Sequence, residues 1–145
     1  MKSLLEYLNR KSQKSLNYDP VTIHYHNGKT DGVEISSDGM DFVLSLKSEG
    51  QMRWNEAMDL AQKQGDRLGT KEEWKLIHQY RDQINQLLDS VKGDNIIRSD
   101  WSADAVYWTS DECDSNAAWN YDGYIGRLCS YKKSGVFTVR TVKDI

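Results

Sequence analysis

The opening segment, to about Leu16, places Leu4, Leu5 and Leu8 on one helical face with Lys and Arg elsewhere. This is the pattern of a short amphipathic helix that packs on its own domain or pairs with a second chain. Asn17 to Pro20 breaks it. From Val21 the period becomes two: Val21, Ile23 and Tyr25 alternate with Thr22, His24 and His26, which predicts a strand with one buried face. Asn27-Gly28 then supplies a residue pair favoured in tight hairpins. Val33 and Ile35 continue the alternation, Asp38-Gly39 marks a second turn, and Phe42 to Leu46 reads as a third strand. A small N-terminal meander is expected.

The middle of the chain changes to helical spacing. Trp54, Ala57, Met58 and Ala61 recur every three or four positions, and Gly65 stands where a C-terminal cap ends a helix. Thr70, Lys71, Glu72 and Glu73 form a capping box, in which the Thr70 hydroxyl accepts from the Glu73 amide and the Glu73 carboxylate reaches back to the Thr70 amide. Trp74, Ile77, Arg81 and Ile84 follow on one side, and Leu87, Leu88 and Val91 carry the apolar pattern to a stop at Gly93. One helix or two fit this stretch equally.

Beyond Gly93 come short extended runs, Val106 to Thr109, Ala117 to Tyr121 and Val136 to Val142, separated by Asp, Ser, Asn and Gly. Two helices between a strand-rich start and a strand-rich end predict an α+β domain. With 145 residues the chain suits one compact domain: residues 1–50 as helix and meander for packing or oligomerisation, 51–145 as the main display region.

Charge narrows the partners. A net charge of −3, with Lys and Arg scattered among acids, gives no footprint for a nucleic-acid backbone. No stretch approaches the roughly 20 apolar residues that span a bilayer, and Glu6, Asn9 and Arg10 occupy the place of a signal peptide's apolar run, so synthesis in the cytoplasm without membrane insertion is expected. Five tryptophans and eight tyrosines against two phenylalanines favour half-buried positions and contact surfaces.

Candidate chemistry is sparse. Cys113 and Cys129 lack CxxC spacing, and free thiols are expected. His24 and His26 share a strand face, but no third ligand is spaced nearby, so solvent-facing or edge histidines are the better reading and no metal is expected. His78 reads as an ordinary helix residue. No phosphate loop, nucleophile elbow or zinc-protease helix occurs, which predicts no catalytic centre and no cofactor.

The blocks Trp54 to Ala61, "RLGTKEEW" from Arg67 to Trp74, "YWTSDE" from Tyr107 to Glu112, "AAW" ending at Trp119 and "VRTV" from Val139 to Val142 come in an order that resembles one family. They resemble the C-type-lectin-like domains shared by formylglycine-generating-type enzymes, gut-bacterial and phage domains, and variable proteins diversified by retroelements. The resemblance covers Met52 to the end; the first fifty residues have no counterpart in it. Gly69 departs from the family, where proline ordinarily precedes the capping threonine. The resemblance implies a C-type-lectin-like fold, with two main helices packed on short twisted antiparallel sheets and a loop-rich C-terminal third. Trp54, Trp74, Trp108, Trp119 and Val139 would pin that scaffold. An enzyme of the formylglycine-generating type carries a copper-binding cysteine pair in a longer domain; Cys113 and Cys129 are soft donors without the further ligands that fix a metal's geometry. No Glu-Pro-Asn-type calcium signature is present.

In the retroelement-diversified members, asparagine codons are randomised to a set that excludes Lys, Glu, Gln, Met and Trp. Asn120 to Tyr131 contains none of these, and they return at Lys132. The implied binding surface comprises Cys113, Asp114, Ser115, Asn120, Tyr121, Asp122, Tyr124, Ile125, Arg127 and Cys129, with the aromatic and Arg members as anchors and the small polar ones as adaptable hydrogen-bonding groups. The implied function is recognition of a protein or glycan ligand on a cell surface, by a bacterial variable protein or by a phage protein carried on the virion. A structural or assembly protein with a fixed lectin-like domain, built into a homo-oligomer through residues 1–50, is the alternative.

Overall fold

Two-residue turns organise the N-terminal third. A computed structural model of the chain describes residues 19–96 and 105–145. The amphipathic segment to Leu16 and Trp101 lie outside the described residues. Asn27 and Gly28 take φ of 52° and 79°, and Asp38 and Gly39 repeat those values, as hairpin turns that follow strand twist require. They join β1 (Val21–His26), β2 (Lys29–Ser37) and β3 (Met40–Ser45) into the expected meander. Val33 stands between Ile23 and Leu44, and Ile35 between Val21 and Phe42, so the buried face is continuous across all three strands. Tyr25 leaves that face. The ladder slips between His24 and Tyr25, skipping Asp31, and turns the tyrosine ring outward to 62% exposure.

After β4 (Gln51–Met52), helix α1 (Trp54–Lys63) runs to Gly65, whose φ of 78° and N–H bond to the Gln62 carbonyl end it as the sequence predicts. Beyond β5 (Arg67–Leu68), helix α2 (Lys71–Gln79) opens on the capping box: Glu73 N–H donates to Thr70 Oγ1 at 3.1 Å, and Thr70 N–H donates to Glu73 Oε1 at 2.9 Å. The Lys71 amide is capped by Asp111 at 2.7 Å. Glu73 does more than cap. Arg67 donates to both its carboxylate oxygens, at 2.6 and 2.7 Å, and to Asp144 at 2.9 Å, so the helix start is bolted to two strands.

Gly69 has a packing reason: a Cβ there would lie 2.8 Å from Trp74 Nε1. The indole lies against the glycine backbone. The apolar run Trp74 to Val91 is two helices, because Tyr80 (φ −104°, ψ 21°) interrupts it and α3 (Arg81–Ser90) starts afresh. Gly93 closes α3 by donating to the Leu88 carbonyl at 2.7 Å.

The remaining strands are β6 (Val106–Glu112), β7 (Ala117–Asp122), β8 (Arg127–Lys132), β9 (Phe137–Thr138) and β10 (Thr141–Asp144). One sheet has the order β1-β2-β3-β10-β5 and the other β4-β9-β6-β7-β8, antiparallel throughout except where β6 meets β9. The described chain is therefore mixed α+β, with three helices and two largely antiparallel sheets. The expected strand from Val136 to Val142 is divided. Its first half pairs in the second sheet and its second half in the first, so Val139 and Arg140 cross between them.

Arg140 is fully buried and donates to the carbonyls of Ser45, Leu46 and Asp94 at 2.8, 3.0 and 2.9 Å. It thereby ties the loop after β3 to the segment after α3. The larger core joins Ile35, Phe42 and Leu44 of the first sheet to Trp74, Ile77, Ile84 and Leu88 of α2 and α3 and to Tyr107 and Tyr121 of the second. A smaller core holds Trp54, Ala57 and Ala61 of α1 against Trp108, Ala118 and Val139. Trp54 and Trp108 are oriented by donating to the Thr109 and Met52 carbonyls at 2.8 and 2.9 Å.

Candidate functional site

Most of the residues read from the sequence as one binding surface fall into two groups at opposite ends of β7. Cys113, Asp114 and Ser115 form the β6–β7 turn, whereas Tyr124, Ile125 and Arg127 belong to the β7–β8 turn and the start of β8. A strand of six residues separates the tips by roughly 17 Å. Both turns are built the same way. Asp114 Oδ1 accepts from the amides of Asn116 and Ala117 at 2.8 and 2.9 Å, and Asp122 Oδ1 accepts from Tyr124 and Ile125 at 2.9 and 3.2 Å. These two carboxylates, expected to face a ligand, shape the loops instead.

Two members of the expected surface are core residues. Asn120 and Tyr121 are 3% and 1% exposed. The reason is that β7 is covered on both faces. Tyr121 pairs with Tyr107 and Leu128, and its ring stacks 5.5 Å from Trp74 under α2, while Asn120 lies on the other face between Trp108 and Cys129. The stretch Arg127 to Lys132, read as loop, is strand β8, paired along its whole length with β7. Cys129 sits within it opposite Asn120, Cys113 lies beyond the far end of β7, and both thiols are free. Trp119, expected in the core, is half-buried, with the Lys71 ammonium 4.5 Å above its ring.

What the fold brings together is a cleft of about 290 Å³ between α2 and the β7–β8 hairpin, lined by Lys75, His78, Tyr121, Gly126, Arg127 and Leu128. Lys75 and His78 come from α2, where Lys71, Lys75 and His78 at spacings of four and three share one stripe. The sequence reading took His78 for an ordinary helix residue and passed over Lys75, and that stripe is the signal that could have found them. Gly126 is required twice. Its φ is 74°, and a Cβ would stand 2.6 Å from His78 Cε1, so the imidazole packs directly on the hairpin backbone.

At the base of the cleft the Tyr121 hydroxyl and His78 Nδ1 form a hydrogen bond. Burial pushes the Tyr121 hydroxyl well above the ordinary phenol range, so it keeps its proton and donates. Burial first, then the nearby Arg81 guanidinium, hold His78 below the ordinary imidazole value. Neutral His78 thus accepts at Nδ1 and carries its proton on Nε2, the nitrogen on the Gly126 side.

A second hollow of about 100 Å³ lies on the first sheet between Asp31, Asp66 and Lys143. Burial pushes Asp31 up, but hydrogen bonds from Lys143 and His24 outweigh it and hold this carboxylate below its usual range. Asp31 is thereby paired with both His24 and Lys143. His24 donates to Asp31 at 2.6 Å, and among the described residues no group of three His, Cys, Asp or Glu is placed to hold a metal ion. No helix among them is long and apolar enough to cross a membrane. Compared with models of known protein families the chain matches none, and no curated protein sequence matches it.

Proposed function

We propose that the chain is a ligand- or receptor-recognition module on a C-type-lectin-like scaffold, acting by binding and not by catalysis, with its ligand held at the cleft between α2 and the β7–β8 hairpin. The observation that carries this reading is the cleft itself, flanked by Tyr124 and Ile125, which are about half exposed at the hairpin tip. Large side chains held out on a hydrogen-bonded turn lose little conformational freedom on binding. The scaffold reading is supported by the order of the sequence blocks and by the chain path: the helices follow the first three strands, the hairpins of the second sheet follow the helices, and β10 returns at the end to pair beside β3. Support for a non-catalytic role comes from the lining, where among the described residues no Ser, Cys, Asp or Glu stands beside His78.

In its retroelement-diversified form this reading restricts variation to side chains that leave the core intact: Tyr124, Ile125, Arg127, Cys129, Ser130 and Tyr131. Sequencing the locus across isolates would then show changes at these positions and constancy at Asn120 and Tyr121. The function is tested by probing arrays of glycans and cell-surface proteins with the tagged full chain. The expected ligand loses about tenfold in affinity with Arg127→Glu or Leu128→Ala and is indifferent to Ser115→Ala at the opposite end of β7. A ligand insensitive to the hairpin substitutions, or no ligand on any array, would refute it.

A further inference from the structure

Among the described residues, the side chains that line the cleft include cations and hydrogen-bond donors and no carboxylate. Lys75 and Arg127 are cations, and His78 offers Nε2–H once Nδ1 is taken by Tyr121. The Tyr121 hydroxyl is spent on that bond. Arg81 adds a third positive charge close by, donating to the His78 carbonyl at 3.1 Å.

The opposing acids are weakly placed to neutralise these groups. Glu72 lies 3.5 Å from Lys75, but both side chains are more than 60% exposed, and such a pair holds little free energy. Asp122 faces Arg127 across the ladder, yet its Oδ1 already accepts from two hairpin amides. Among the described residues Arg127 makes no ion pair. The apolar part of the wall is the Tyr121 ring and Leu128. A volume of about 290 Å³ is at the small end of ligand pockets.

We infer that the cleft takes a small organic carboxylate, its anionic head against Lys75, His78 Nε2–H and Arg127 and its apolar body against Leu128 and the Tyr121 ring. This rests on the cleft being the recognition site and adds the class of ligand. A free acid and an acid group on a larger glycan or peptide present the same head. The cleft distinguishes them only by what projects from its mouth toward Tyr124 and Ile125.

Amide and imidazole NMR of the full chain titrated with benzoate, and separately with the neutral isostere benzamide, tests the inference. Benzoate is expected to shift His78, Gly126 and Leu128 saturably, with an affinity at least about tenfold above benzamide's. The Lys75→Glu/Arg127→Glu variant, altered only at solvent-accessible side chains, is expected to remove that advantage while leaving the weak benzamide shifts and the fold's dispersion unchanged. Repeating the titration with an acidic sugar and its methyl ester separates the sources: extra shifts at Tyr124 and Ile125 mark a larger acid, and shifts confined to the cleft mark a free one. Equal binding of benzoate and benzamide would overturn the carboxylate assignment and leave the cleft as a site. No cleft shift with any probe would overturn the assignment together with the recognition reading beneath it.

Discussion

Tyr121 and Tyr124 are three positions apart in one hairpin, and replacing each by alanine should have sharply different consequences. The Tyr121 ring is buried against Trp74, with Tyr107 stacked at 4.7 Å on the same indole, and its hydroxyl bonds His78. An aromatic side chain of this kind removes about 150–250 Å² from water, which at about 25 cal/mol per Å² corresponds to roughly 4–6 kcal/mol. Measured aromatic-to-alanine losses of about 3–5 kcal/mol bring the expected cost of Tyr121→Ala to about 4 kcal/mol. That is a large part of the roughly 5–15 kcal/mol a domain possesses. Tyr124, 48% exposed on the turn, should cost no more than about 0.5 kcal/mol. Urea unfolding followed by tryptophan fluorescence reads the contrast directly. With a slope of about 2 kcal/mol per molar urea, the Tyr121→Ala midpoint falls by about 2 M and the Tyr124→Ala midpoint stays within about 0.3 M. Equal costs for the two, or a loss below about 1 kcal/mol for Tyr121→Ala, would refute the placement of β7 beneath α2.

Glu73→Ala removes one capping acceptor and leaves the Arg67 guanidinium with Asp144 and the Leu68 carbonyl, so thermal or urea unfolding should register a loss of about 2–4 kcal/mol; the lower end applies because Arg67 is about a third exposed. Gly126→Ala should cost about 1–2 kcal/mol from positive φ alone, and the methyl group, set against His78 Cε1, should shift the His78 resonances and weaken any cleft ligand. A variant with unchanged His78 shifts would contradict the contact. His78 titrates below its unfolded value of 6.5, so the unfolded chain binds the extra proton first and stability falls as pH drops from above 6.5 through the folded pKa. A second loss follows below about 4, where Asp144, held down by Arg67, and Asp94, whose amide and cation partners outweigh its burial, take up protons. His78→Gln should abolish the first step and keep the second in a series of melting temperatures against pH.

Turn and cap chemistry made much of the first half legible. Asn27-Gly28, Asp38-Gly39, Gly65 and the Thr70–Glu73 box each act through local backbone geometry, so their effect is written in adjacent residues. The break at Tyr80 was hidden because the apolar spacing runs through it unchanged, and only the interrupted backbone and the Tyr80 hydroxyl near Ser37 Oγ at 3.1 Å mark the new helix. Strand β8 was hidden for the opposite reason. It is an edge strand with mostly accessible side chains, so it lacks the alternation that reveals half-buried strands. In β7 burial on both faces is not written in the spacing, so the resemblance alone placed Asn120 and Tyr121 on the binding surface. The cleft required tertiary information altogether, since Lys75 and His78 meet Gly126 and Leu128 only through the packing of α2 on the second sheet.

The most direct test of the central claim is crystallographic soaking of the full chain with a library of small neutral and charged fragments. Bound fragments are expected to concentrate between Lys75, His78, Gly126 and Leu128, with carboxylates foremost among them. Fragments that gather elsewhere while this cleft stays empty at saturating concentration would contradict it.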